Sequence, residues 1–413
     1  MDDNMELHFE DIMDYHSVEH SPHRTEEEKE GRSMFQFDEE RLPARIKVVG
    51  VGGGGCNAVS TMVQAQITGV EFIVTNTDMQ SLDRSQSPVK LQIGTKLTNG
   101  RGAGSNPEIG RNAAMEDAEK IKNALTGAEM VFVTAGMGGG TGTGGAPVIA
   151  QIARELKALT VAVVTKPFEF EGELRKRKAE EGIAELKKHV DAIIVIPNER
   201  LLNLAEKRTS LIEGFRLADS VLVQAVKGIA DVVMNSGHVN VDFADIKTVM
   251  ANKGRAVMGT GTATGEGRAL EAAQKAIASP LLEDGSIKGA RAVLINITGG
   301  KDMGMYEFQD AVSVIKNEVD PGANIKVGTV ITDDMSEEIQ VTVIATGFDE
   351  EGIRDRAKKA PVSLKEFIKG APNLKKKQEA FDFKNEALGL LDLDEPSFRR
   401  DLDKPTFLRR QAD

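Results

Sequence analysis

The chain has 413 residues, enough for two or three domains with sizeable cores, and its hydrophobic (40%) and charged (28%) shares suit a water-soluble globular protein. A net charge of −12 argues against nucleic acid as the main partner, because phosphate binding needs clustered Lys and Arg; 4% aromatic residues and no Trp argue against a base- or sugar-stacking surface. The single cysteine, Cys56, excludes an intrachain disulfide, no apolar run reaches membrane-spanning length, and Met1-Asp2-Asp3-Asn4 opens no secretory signal, so a cytoplasmic protein is expected.

Residues 1–44 are polar and acidic, with a charge run at Glu26, Glu27, Glu28 and Glu30, and read as a disordered extension. His8, His16, His20 and His23 lie there, and a solvated tail is favoured over a metal site. Order is expected from Arg45. β-rich runs at 45–49, 71–75, 130–134, 160–165 and 191–196 alternate with helical patterns near 57–67, 108–124, 146–158 and 175–189. That alternation predicts βαβ units and a parallel sheet over 45–209. Leu211, Phe215, Ala218, Leu222, Ala225, Ile229 and Val232 then follow helical spacing. A helix over 210–236, about 39 Å long, would connect two domains. Beyond it the patterns give helices at 243–251, 266–278 and 305–318. Strands are expected at 255–263, 291–298, 324–331 and 339–346, the last two pairing as neighbours. Together they form a smaller α+β domain over 237–348. Residues 349–391, with Lys375-Lys376-Lys377, read as a flexible linker. Residues 392–413 carry a near-repeat, the first copy ending Phe398-Arg399-Arg400 and the second Phe407-Leu408-Arg409-Arg410, which suggests a docking peptide.

Two glycine clusters carry the chemistry. Gly50-Val51-Gly52-Gly53-Gly54-Gly55-Cys56-Asn57 follows a strand and opens a helix, the setting in which backbone N–H groups and the helix N-terminus bind phosphate. It also fits a dinucleotide fingerprint, with Asp78 as a ribose acid, so a NAD-dependent oxidoreductase is the rival reading. There is no P-loop motif. Gly138-Gly139-Gly140-Thr141-Gly142-Thr143-Gly144 sits in the same strand-to-helix position and is far more specific. Two such loops at strand C-termini of one sheet can face one ligand. Asp242 and Asp245 have the spacing of a helix cap, which also sets both carboxylates on one helical side. Cys56 beside the first cluster reads as a small tolerated residue rather than a reactive thiol.

The second cluster resembles the signature loop of the tubulin superfamily. Asn76-Thr77-Asp78, Gly102-Ala103-Gly104-Ser105-Asn106-Pro107-Glu108, Lys166-Pro167-Phe168, Phe170-Glu171-Gly172 and Asn240-Val241-Asp242-Phe243-Ala244-Asp245 follow in order. Together they make the chain, from about Ile46 to Gly347 and again at its extreme C-terminus, similar to the bacterial tubulin-like cell-division (FtsZ) family. The resemblance implies an α/β Rossmann-like parallel-sheet GTP-binding domain joined by a long central helix to a smaller α+β domain. It implies a GTPase that binds GTP/GDP and Mg²⁺ and polymerises head to tail at the midcell division ring. The loops at 52–57, 102–106 and 138–144 would form the phosphate cradle, through Gly52, Gly53, Gly54, Gly55, Asn57, Gly102, Ala103, Gly104, Asn106, Gly138, Gly139, Gly140, Thr141, Gly142, Thr143 and Gly144, and Asn76 would also bind the nucleotide. Glu171 and Arg175 would contact ribose and phosphate; Asn57, Asn198, Phe215 and Asp219 would read guanine. Asn240, Asp242 and Asp245 would complete the catalytic site of the next subunit. Asp401 to Asp413 would bind membrane tethers and regulators, with no nucleic-acid partner and no membrane insertion.

Overall fold

A computed structural model describes residues 44–202, 208–234, 241–251, 254–282, 286–332 and 335–348. The acidic extension up to residue 43, Asn240, the linker and the docking peptide lie outside the described residues.

In the first half, strands β1 (Ile46–Val51), β2 (Val70–Asn76), β3 (Val89–Gln92), β4 (Met130–Gly136), β5 (Leu159–Lys166) and β6 (Ala192–Pro197) run parallel. The helices of this half are α1 (Gly52–Gln64), α2 (Met79–Arg84), α3 (Thr95–Thr98), α4 (Pro107–Glu116), α5 (Ala118–Leu125), α6 (Thr141–Glu155), α7 (Glu173–Leu186) and α8 (Asn198–Leu201). The second half contains α9 (Leu211–Met234), α10 (Phe243–Met250), β7 (Gly254–Thr264), α11 (Arg268–Ile277), β8 (Ala292–Gly299), α12 (Met305–Glu318), β9 (Asn324–Ile331) and β10 (Glu338–Thr346).

The ten strands of the described residues belong to one sheet, in the order β3-β2-β1-β4-β5-β6-β7-β10-β8-β9. The two halves join where β6 pairs in parallel with β7, at Ala192–Gly254, Ile193–Arg255 and Ile194–Ala256. Side chains alternate across the strands. Ile46 and Val48 face one core with α1, α9 and α10, while Val49 and Val51 face a second core with α5 and α6. The first core extends under α9 to Met258 and Leu294, so this helix covers one face of both halves. A third core, of Val257, Ile295, Val341 and Ala272, lies between the second half of the sheet and α11 and α12.

The sequence patterns place most of these elements within a few residues. β9 and β10 do not pair, contrary to expectation: β9 lies parallel to β8 at the sheet edge, and β10 runs antiparallel between β7 and β8. Burial explains the arrangement. β10 is apolar and buried along most of its length, as a central strand must be, whereas β9 is largely half-exposed. α2, β3 and α3 carry no strong period in the sequence and emerge only in the structure. Among the described residues, no helix is long and apolar enough to cross a membrane.

Candidate functional site

Phosphate affinity begins at helix starts. α1 and α6 each begin without any side chain capping their first N–H groups, their N-caps being Val51 and Gly140. By contrast α2, α4 and α10 are capped by Asp78, Asn106 and Asp242. The free donors of α1 and α6 converge: a Cβ on Gly52 would lie 2.8 Å from the Gly142 backbone N. Two uncapped N-termini meeting at strand C-termini make a concave positive site for anions.

The glycines divide by cause. Gly52 and Gly138 hold φ near +71° and +97°, where other residues are strained. Gly144 and Gly110 permit helix contact, since a Cβ would collide with the carbonyl oxygens of Pro107 and Gly140, respectively. Gly53 and Gly139 lack a positive φ, and a Cβ at either would meet nothing within 4 Å. Close approach of a ligand is the remaining reason for glycine there.

The loop 102–106 closes against this cradle. A Cβ on Gly140 would meet Ala103 Cβ at 2.8 Å and Asn106 N at 2.9 Å. Lys178 Nζ donates to the Ser105 carbonyl at 2.7 Å and ties the loop to α7. Gly138 N–H donates to Thr143 Oγ1 at 2.8 Å, and the Thr77 and Thr141 hydroxyls are 2.6 Å apart. Asn76 is a buried turn anchor, its Oδ1 accepting from Thr77 N at 2.9 Å and Asp78 N at 3.3 Å. Asp78 accepts from Gln80 N as the cap of α2.

Beside the cradle is a cleft of about 140 Å³, lined by Gly54, Asn57, Gly136, Thr165, Pro167, Glu171, Arg175, Asn198, Phe215 and Asp219 among others. A larger cleft of about 500 Å³ opens between α4, α6 and α7, but none of Glu171, Arg175, Asn198, Phe215 and Asp219 lines it. The smaller one holds the convergent recognition groups. Asn198 is buried and its Oδ1 has no hydrogen-bond partner, a deficit that a ligand N–H would remove. Burial pushes the Asp219 carboxyl up to about 6. Glu171 accepts from Phe168 N at 2.9 Å and pairs with Arg175 at 3.0 Å, and the Cγ and backbone carbonyl of Arg175 lie against Gly138. Phe215 meets Phe168 edge-on at 5.4 Å, and Phe168 stacks on Phe170 at 5.0 Å. An acid, an amide oxygen and an aromatic ring around a half-closed cleft suit a flat base that presents N–H donors.

The structure thus brings together three loops and the Glu171, Arg175, Asn198, Phe215 and Asp219 set that the sequence nominated. Thr165, Pro167 and Gly136 also line the cleft; their place at the C-terminal ends of β5 and β4 was the available signal. Cys56 is buried, and burial pushes its thiol up to about 12, which disfavours the reactive thiolate.

Asp242 and Asp245 are elsewhere. α9 starts at the cleft, where Phe215 and Asp219 lie, and ends with Met234 against Gly69, at the N-terminal edge of the sheet beside the start of β2. About 22 Å of helix separates Asp219 from Met234, and the acids follow at that far end. Asp242 caps α10, its Oδ1 accepting from Asp245 N at 2.7 Å. Asp245 Oδ1 receives Lys326 Nζ of β9, also at 2.7 Å. Lys326 is 81 residues downstream in the sequence and had no local signal.

The family model described as Tubulin/FtsZ family, GTPase domain, matches residues 45–206, and that of the FtsZ family C-terminal domain matches residues 254–349. Among solved structures, the chain is similar to an FtsZ dimer from M. jannaschii described as empty, at 44% identity over 75% of this chain and 89% of that chain, with a TM-score of 0.71. A point mutant of FtsZ from M. jannaschii matches at 43% identity over 74% and 92% of the two chains, with a TM-score of 0.71. CetZ2 from Haloferax volcanii, a GTPγS-bound protofilament, shares the fold at 22% identity over 76% and 98% of the chains, with a TM-score of 0.65. With both domain models matched along its length and its uncapped glycine loops set around a base-sized cleft, this chain belongs to the tubulin/FtsZ family and is a GTP-binding GTPase.

Proposed function

We propose that the chain polymerises head to tail and hydrolyses GTP at the junction between subunits, as the filament of a division ring. The observation that carries this reading is the placement of the acids at the opposite end of α9 from the nucleotide cleft. Asp242 and Asp245 cannot reach the cleft of their own subunit, but a second subunit stacked along α9 would bring them to it. Such a heterologous contact generates open filaments. The M. jannaschii relative is itself described as a dimer, which accords with self-association.

In this reading the 52–57, 102–106 and 138–144 loops hold the triphosphate, while Asn198 and Asp219 select guanine. Asp242, Asp245 and Asn240 of the neighbouring subunit orient and polarise the attacking water. The N–H donors of the cradle would hold the triphosphate, and a Mg²⁺ ion would be carried into the site on that nucleotide; among the described residues no group of three His, Cys, Asp or Glu could hold a metal ion. When bound, the ion neutralises phosphate charge. Residues 45–209 form the nucleotide domain, α9 the connector and 237–348 the acid-bearing domain, with 401–413 as the docking site for membrane tethers.

The test is GTP hydrolysis against protein concentration with Mg²⁺ present. A threshold followed by a linear rise is expected. Rates proportional to concentration from zero, in a verified monomer, would sink the shared site while leaving GTP as the substrate. Asp245→Ala should keep GTP binding and lose most turnover, by about a hundredfold or more.

A further inference from the structure

The acid end of the molecule is built on β9. Val241, just before the acids, is buried, and a Cβ on Gly328 would lie 3.4 Å from its Cγ2 and 3.2 Å from Val232 Cγ1. Glycine at 328 therefore leaves room for Val232 and Val241 against the strand. Two residues earlier, on the same face of β9, Lys326 reaches Asp245 at 2.7 Å. The pair is neither buried nor free, with side chains 30% and 36% exposed. Asp245 is thereby fixed twice: its backbone N–H donates to Asp242 and its carboxylate accepts from Lys326.

A shared site poses an electrostatic problem. It must bring two carboxylates up to a triphosphate, and like charges meeting in a partly desolvated junction repel strongly. A cation delivered with the acids, from the same subunit, offsets that repulsion and holds one carboxylate in place. We infer that Lys326 is a positioning residue for the GTPase reaction: it orients Asp245 and supplies the counter-charge that allows the acid pair to approach the γ-phosphate of the next subunit. The inference rests on the proposed shared site. It assigns no proton transfer to Lys326.

The experiment compares full-length wild type, Lys326→Met, Lys326→Arg and Asp245→Ala. Three quantities are measured: affinity for a fluorescent GTP analogue below the assembly threshold, turnover per assembled subunit, and the dependence of both turnover and threshold on KCl. For Lys326→Met, unchanged nucleotide affinity, a turnover lower by about fivefold at low salt and a raised assembly threshold are expected. The deficit should shrink as salt screens the junction, and Lys326→Arg should restore turnover to within about twofold of wild type. A merely structural lysine would instead lower thermal stability and show no salt dependence. Turnover of Lys326→Met equal to or above wild type at every salt concentration, with Asp245→Ala inactive, overturns the role of Lys326 and leaves the shared site standing. Wild-type turnover in Asp245→Ala overturns the shared-site reading itself.

Discussion

Asp219 shows how a recognition residue costs stability before its ligand arrives. Burial raises its carboxyl from 3.8 to about 6. A carboxyl that holds its proton more tightly when folded contributes stability at low pH and loses it as pH rises through the folded value. The nucleotide-free fold should therefore lose on the order of 2 kcal/mol between about pH 4 and pH 6 and remain lower at pH 7. Guanine N–H donors favour the ionised form, so GTP affinity should fall about tenfold from pH 7 to pH 5; fluorescence titration across that range checks it, and a flat profile would remove Asp219 from the base site. Asp219→Asn replaces one acceptor by a donor, which matches xanthine rather than guanine. It should weaken GTP by about a hundredfold, bind XTP in exchange, and raise the melting temperature of the nucleotide-free protein. At this scale the sequence was legible through motif resemblance rather than through chemistry alone. Asp219 by itself reads as a solvated helix face, and only burial reveals its strain. The unpaired Asn198 oxygen and the Lys326–Asp245 contact depend on chain segments brought together by folding, which no local pattern encodes.

The glycine-rich helix starts are the clearest case of tertiary structure overriding local preference. Gly142, Gly144 and Gly145 are poor helix formers, and the helical pattern of the sequence begins only at about 146, yet α6 starts at Thr141. Contacts explain the difference: Gly144 lies against the backbone of α4, and a Cβ on Gly142 would sit 2.7 Å from the Gly136 carbonyl oxygen. Two substitutions separate packing from binding. Gly144→Ala meets the Pro107 backbone and should destabilise the fold severely, seen as a large drop in melting temperature. Gly53→Ala meets nothing in the protein and lies within α1, so it should leave the fold as stable or more so, by up to about 1 kcal/mol of helix propensity, while weakening GTP binding. If Gly53→Ala bound GTP normally, the phosphate cradle would be misplaced. The strands were legible because parallel strands buried on both faces are continuous apolar runs. The partners of β9 and β10 were not, because adjacency in sequence favours a hairpin and the choice was decided by burial on both sides of β10.

For the whole molecule, composition and alternation set the class of fold, and the resemblance already set the acids apart from the nucleotide site, across the long helix; the single sheet running from β3 to β9 emerged only in three dimensions. The proposed docking peptide belongs to this scale as well. Deleting 401–413 should leave GTP turnover and assembly intact and abolish capture by a membrane tether; loss of assembly would make the tail part of the filament. The opposed placement along α9 also has a counting consequence. On the shared-site reading, a filament holds one fewer working site than it has subunits, because the subunit at one tip offers a filled cleft that no acids reach, while the subunit at the other tip offers acids with nothing to act on. The two tips are then chemically unlike. One carries unspent fuel for as long as it stays a tip, specific activity rises with mean length, and cutting a filament in two silences one site for every cut.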